Sequence, residues 1–171
     1  MPYARTWSEE LVAEWLEMNG YSVVIGLPVK VSKRGGRRDV DIVGFRVENG
    51  VIRIIHVEVG SFAVGPDKVV ASLKKKFGED VKNAVKKYVM ERVGRELPIE
   101  YEEAVVGTWI SEKAIQRIRH EFPGVKVWHF RDFIKNEIMP LLEQRVRAFH
   151  MFPDGHWLLN FLWLLKYYKI I

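Results

Sequence analysis

A β-hairpin near the middle of the chain constrains the fold more than any other feature. Two β-branched runs flank the dipeptide Asn49-Gly50, which is typical of a two-residue hairpin turn. If this dipeptide alone forms the loop, the register of the strands places Asp41 directly opposite Glu58. Opposed side chains lie on the same face of the sheet, with Cβ atoms roughly 4.5–5.5 Å apart. A three-residue loop with a bulge would instead slip the register and separate the pair.

The two opposed carboxylates predict a functional site, because a fold that needs only stability avoids like charges side by side. Asp41 and Glu58 each lie within an apolar run, where a lone carboxylate is costly to bury. A divalent cation between them would turn the repulsion into a binding site. His56 falls on the same face and fits either a hydrogen-bonded core histidine or a ligand.

The whole chain reads as helices and strands in the order αβββαβαβα, which predicts an α/β fold with a mixed central sheet flanked by helices. Gly78 interrupts one long helical pattern, and Pro140 falls near the middle of another. The predicted helices cover residues 9–18, 68–93, 112–121 and 131–150, and the predicted strands outside the hairpin cover 21–31, 104–110 and 125–130.

The chain length of 171 residues predicts one domain over residues 1–150, followed by a hydrophobic C-terminal segment over 151–171. The apolar part of that segment, residues 157–171, is too short to span a bilayer as a helix, which takes about 20 residues. Three roles remain open for it: a helix that closes the core, a homodimer contact, or attachment to a membrane surface.

Composition excludes some classes of protein and favours others. There is no cysteine, so disulfide frameworks and thiolate metal sites are excluded. The net charge of +5 gives modest support for a polyanionic partner such as nucleic acid. The abundance of charged and β-branched residues is typical of thermophiles. The charged N-terminus carries no apparent signal peptide, so a cytoplasmic location is expected.

A third carboxylate, Glu9, completes a pattern that resembles a known superfamily. Glu9 opens the first helix, eleven residues before the pair Gly20-Tyr21 that starts the first strand. Asp41 follows in an apolar strand, and Glu58 comes near the end of the next strand, after the hairpin. In this order and spacing the chain resembles the PD-(D/E)XK nucleases over about residues 5–93. The archaeal Holliday-junction resolvases and the YraN-like proteins have the closest layout.

The resemblance implies a restriction endonuclease-like fold and a metal-dependent endonuclease that hydrolyses DNA, with branched DNA as a candidate substrate. It implies that Asp41, Glu58 and the backbone carbonyl of Val59 hold Mg²⁺ or Mn²⁺. It implies that Glu9 binds a second ion or orients a water. Because the resembling branched-DNA nucleases act as two-fold dimers, it also favours a homodimer.

One departure from the superfamily pattern concerns the catalytic lysine, whose position is occupied by Gly60. A positive charge is needed there to stabilise charge on the phosphate. Lys68 and Lys74, in the next helix, are candidate replacements, as is an arginine of residues 34–38. Alternatively, the chain is an inactive nuclease fold that binds nucleic acid or acts as a scaffold. Asp39 borders the empty position, as an additional metal ligand or as a solvated carboxylate.

A basic loop precedes the Asp41 strand. It contains two glycines, which let backbone approach a ligand, and it predicts phosphate contacts with an ordinary solvated loop as the alternative. The predicted nucleic-acid-binding residues are Lys33, Arg34, Arg37 and Arg38. No motif that reads base sequence is found in the chain.

Overall fold

The computed structural model describes residues 6–31 and 37–171, without the side chains of residues 30, 31, 37 and 38. Five strands form one sheet in sequential order. The strands are β1 (Ser22–Val31), β2 (Arg37–Glu48), β3 (Val51–Phe62), β4 (Ile99–Ile110) and β5 (Lys126–His129). β1, β2 and β3 pair antiparallel, whereas β3, β4 and β5 pair parallel, so the sheet is mixed as the sequence predicts.

Helices cover both faces of the sheet. They are α1 (Trp7–Met18), α2 (Pro66–Lys76), α3 (Glu79–Val93), α4 (Glu112–Glu121), α5 (Phe130–Phe133), α6 (Met139–Arg147) and α7 (Trp157–Tyr167), with a π-helical turn at Ile134–Ile138. One face of the sheet packs on α1 and the C-terminal helices, and the other packs on α2, α3 and α4. Side chains alternate along β3 between the two faces, so that Ile55, Val57 and Val59 face α1 while Ile54 faces α3.

The hairpin between β2 and β3 has the predicted two-residue loop. Asn49 and Gly50 have φ values of 52° and 76°, as a type I′ turn requires. The antiparallel ladder then runs without a shift to the pair Ile42 and Val57. The predicted register is therefore confirmed, and it brings Asp41 and Glu58 to the point where the ladder ends.

In the structure, two of the predicted helices are each divided into shorter elements. The long pattern after β3 breaks at Phe77 and Gly78, which separate α2 from α3. The pattern around Pro140 contains the π-helical turn, whose last bond runs from the Met139 N–H to the Ile134 carbonyl. Pro140 has no N–H to donate, so the widened turn precedes the residue that cannot continue the normal bonding.

The C-terminal helix α7 is docked on α1 by a buried carboxylate. Both oxygens of Glu14 accept hydrogen bonds from the first turn of α7, at 3.1 Å from Leu158 N and 2.8 Å from Leu159 N. The side chains of Leu159 and Trp163 join the main core. The opposite side of α7 is exposed. No helix in the described part of the chain is long and apolar enough to cross a membrane.

Candidate active site

The site lies where β2 and β3 separate, on the sheet face that α2 covers. Beyond the pair Ile42 and Val57 the backbone ladder stops. The next free N–H of β3, that of Val59, donates instead to Asp41 Oδ2 at 2.9 Å. The Asp41 side chain thus takes over the role of a backbone acceptor, which fixes its position relative to Glu58.

A lysine from the end of α2 joins the two carboxylates. Lys76 Nζ lies 2.7 Å from Glu58 Oε2 and 3.3 Å from Asp41 Oδ1. It also donates to the backbone carbonyl of Asp39 at 2.9 Å. The ammonium therefore has three oxygen partners, and the two carboxylates converge on one cationic centre.

The packing of α2 explains why Lys76 reaches this position. Val69 and Leu73 bury one face of α2 against β4 and α4, and Lys76 follows on the same face one turn later. The next residue, Phe77, is buried with its ring edge-on to His56 at 5.0 Å, which anchors the end of α2 over β3. No local sequence pattern distinguishes this lysine from its neighbours Lys74 and Lys75.

Burial disfavours the charged forms of Asp41, Glu58 and Lys76. Burial, followed by the charge of Glu58, raises the pKa of Asp41 to about 6, against the opposing effects of Lys76 and the Val59 N–H. Burial also raises the pKa of Glu58, although Lys76 opposes it. For Lys76, burial lowers the pKa, but the two carboxylates outweigh this and the net shift is upward. Lys76 therefore stays charged while the carboxylates carry an unfavourable excess of negative charge.

His56 is a buried partner of Glu58. Its Nε2 lies 2.9 Å from Glu58 Oε1, and its Nδ1 lies 3.0 Å from the Tyr101 hydroxyl on β4. Of the two roles that the sequence leaves open for His56, this contact pattern matches the hydrogen-bonded core histidine. No sequence pattern marks Tyr101 as functional, because it meets His56 only through the parallel pairing of β3 with β4.

Other predicted residues lie away from the carboxylates. Glu9 sits in the first turn of α1, where its carboxylate accepts from Thr6 N at 3.3 Å in a capping box. Lys68 is exposed in the first turn of α2, and Lys74 pairs with Glu121 of α4 at 3.0 Å. Lys68 misses the site because the last turn of α2, not its first, overlies the carboxylates. Lys74 belongs to that last turn, but its ammonium pairs with α4 instead.

The predicted basic loop is largely outside the described residues. Lys33 and Arg34 lie there, as do the side chains of Arg37 and Arg38, whose backbone belongs to β2. Within residues 6–31 and 37–171, no three histidine, aspartate or glutamate side chains are grouped so as to hold a metal ion. A metal at this site would therefore rest on two carboxylates and backbone or water oxygens.

Comparison with known proteins identifies no family for this chain and shows only distant structural likeness. No protein-family model matches it, and no curated protein is similar to it. Among solved structures, the crystal structure of a protein of unknown function, AF1548, is similar over 80% of this chain, with 19% sequence identity and a TM-score of 0.46. The chain spans 64% of the length of that protein, which is less than two thirds.

Proposed function

We propose that this chain is a metal-dependent DNA endonuclease of the PD-(D/E)XK type, in which Lys76 replaces the missing motif lysine. One observation carries the proposal: Asp41 Oδ1 and Glu58 Oε2 converge on a single cationic centre, Lys76 Nζ. These side chains supply the two acids and the cation that the sequence resemblance implies. A purely structural role gives no reason to bury two carboxylates together at the end of a hairpin ladder.

The donor set fits the divalent cation that this nuclease type implies. Both converging atoms are carboxylate oxygens, which Mg²⁺ and Mn²⁺ prefer, and Lys76 Nζ shows that a cationic centre is accommodated between them. Asp41, Glu58 and the backbone carbonyl of Val59 would hold the ion. When bound, the ion would supply an activated water and neutralise charge on the phosphate.

The protein's own groups prepare the site for this chemistry. The second oxygen of each carboxylate is already engaged, with Val59 N on Asp41 and His56 on Glu58. These bonds hold the other two oxygens, which face Lys76 Nζ, in fixed positions. The Lys76 side chain is 28% exposed. The ammonium would give up its place between the carboxylates to a bound ion and turn toward a phosphodiester at the mouth of the site. Its charge would stabilise negative charge that develops on the phosphate.

Substitution of Lys76 tests the proposal. Lys76→Met should lower cleavage of DNA by about 100-fold or more, as expected when a group that stabilises transition-state charge is removed. Lys68→Met and Lys74→Met are the matched controls and should cleave at the wild-type rate. The assay is Mn²⁺-supported cleavage of duplex, branched and single-stranded DNA. Equal rates for wild type and Lys76→Met would refute the role of Lys76.

A second candidate function is a nucleic-acid-binding or scaffold protein on an inactive nuclease fold. The observation in its favour is that Lys76 already compensates both carboxylates, so the site is closed without a metal. Calorimetry with Mn²⁺ on wild type and Asp41→Asn separates the two. Binding that Asp41→Asn abolishes supports the nuclease. No binding, together with no cleavage of DNA or RNA, supports the scaffold.

The proposed partner is nucleic acid, on the basis of the net charge of +5 and the basic loop. Neutralising Arg34, Arg37 and Arg38 together should weaken DNA binding and flatten the dependence of log K on log salt concentration, because fewer counterions are released. Unchanged affinity and slope in the triple variant would remove the loop from the interface.

A homodimer is proposed for the exposed side of α7. Several large apolar side chains on this side remain in solvent, and a self-complementary contact between two copies would cover them. They are Trp157, Phe161, Leu164 and Tyr168, with exposed fractions of 57%, 54%, 39% and 67%. Sedimentation over a range of concentrations tests this. A monomer at high micromolar concentration would refute it.

A further inference from the structure

The hydrogen-bond chain behind Glu58 has features that a simple core contact does not need. His56 is fully buried, both of its ring nitrogens have partners, and the Phe77 ring packs edge-on against the imidazole. The ring is therefore fixed in the plane that points Nε2 at Glu58 Oε1. The Tyr101 hydroxyl, on the neighbouring strand β4, is the last group in this series of hydrogen bonds.

The positions of the protons in these hydrogen bonds follow from the partners of His56, which are Glu58 on one side and Tyr101 on the other. Glu58 Oε2 contacts the Lys76 ammonium, and a carboxylate in an ion pair accepts hydrogen bonds, which assigns the donor role to His56 Nε2 and leaves Nδ1 to accept from the Tyr101 hydroxyl.

Each carboxylate consequently directs one oxygen toward the centre of the site. Glu58 Oε1 is occupied by His56 and Asp41 Oδ2 by the Val59 N–H, so Oε2 and Oδ1 are the oxygens that face Lys76 Nζ and that an ion in its place would meet. Mg²⁺ and Mn²⁺ are small ions, and Mg²⁺ demands near-octahedral geometry with short bonds. Ca²⁺ takes six to eight oxygens and often binds both oxygens of one carboxylate.

Resting on the proposed metal site, we propose that His56 and Tyr101 are positioning residues that restrict Glu58 to one coordinating oxygen. The site thereby selects Mg²⁺ and Mn²⁺ over Ca²⁺. Without the hydrogen bond from His56, Glu58 is free to turn and offer both oxygens, which favours the larger ion.

The test compares calorimetric association constants for Mn²⁺ and Ca²⁺ on the full chain, without nucleic acid. Wild type should bind Mn²⁺ more tightly than Ca²⁺. Loss of a residue that orients a ligand changes metal affinity by about 10–100-fold, so His56→Leu should lower the Mn²⁺/Ca²⁺ ratio by about tenfold. His56→Gln retains an N–H donor and should restore part of the ratio. Tyr101→Phe removes only a hydroxyl, and should lower the ratio by a smaller factor.

The ratio separates positioning from general structural support. If His56 only stabilises the core, its loss weakens both ions together and leaves the ratio unchanged, which would overturn the proposal. If His56→Leu does not fold, the Mn²⁺/Ca²⁺ ratio of Tyr101→Phe distinguishes positioning from structural support instead. A wild type that binds Mn²⁺ with an unchanged ratio in the variants overturns the positioning role alone. A wild type that binds neither ion overturns the metal site as well.

Discussion

Asp41→Asn should make the protein more stable at pH 8, although it removes a central residue of the site. Asparagine resembles the neutral form of aspartate, and the folded protein favours that form. The rise of the Asp41 pKa from 3.8 to about 6 corresponds to about 3 kcal/mol, at about 1.4 kcal/mol per pKa unit. The side chain is only 25% exposed, so solvent screening removes little of this. For a chain of this size the gain in Tm is about 6–12 °C.

The sign of the pH dependence follows from the direction of the shift. Because the folded pKa of Asp41 is raised, its stabilising contribution is present below pH 3.8 and is lost as the pH rises through about 6. The advantage of Asp41→Asn should therefore be full at pH 8 and shrink as the pH falls toward 4. His56 acts in the opposite sense, since its lowered pKa makes stability fall as the pH drops from 6.5 toward 4. The Asp41 charge is one of the lesser causes of this shift, so most of the His56 contribution is common to both proteins and cancels in the difference.

Thermal and urea unfolding between pH 4 and 8 provide the measurement. Asp154→Asn, at an exposed position, is the control and should change stability by less than about 0.5 kcal/mol at any pH. Mn²⁺ at about 100 times its Kd should stabilise wild type by about 2.7 kcal/mol and leave Asp41→Asn unaffected. An Asp41→Asn variant that is no more stable than wild type at pH 8 would refute the reasoning about the buried charges.

Three further predictions concern other parts of the molecule. Gly60→Lys should fold with a stability within about 0.5 kcal/mol of wild type and cleave DNA faster, because the added Cβ meets no atom within 4 Å and the backbone is not left-handed. A loss of several degrees in Tm would contradict this. Glu14→Ala should cost about 1–3 kcal/mol in urea unfolding, since two backbone N–H groups of α7 lose their acceptor, and Glu14→Gln should cost less. If Glu14→Ala and Glu14→Gln are both as stable as wild type, the docking role of Glu14 is contradicted. Phe161→Glu with Leu164→Glu should shift the proposed dimer to monomer in sedimentation, and an unchanged sedimentation profile would place any dimer contact elsewhere.

The sequence by itself determines the hairpin and its pair of carboxylates. The Asn49-Gly50 turn sets the register, and the two-residue period of a strand then decides which side chains share a face. The break at Gly78 is likewise local, and the structure contains it. These features depend on backbone conformation over a few residues, which the sequence encodes directly.

Only the tertiary structure decides which other groups meet the carboxylates. Lys76, among several helical lysines, is selected by the packing of α2 on β4 and α4, which no local pattern reveals. Tyr101 reaches His56 across 45 residues through parallel pairing, and Glu14 reaches α7 across 144 or more residues. For Glu9, a local capping box holds the carboxylate in its own helical turn. Contacts of this kind depend on how layers pack, and packing is decided by the shapes of all the buried side chains together.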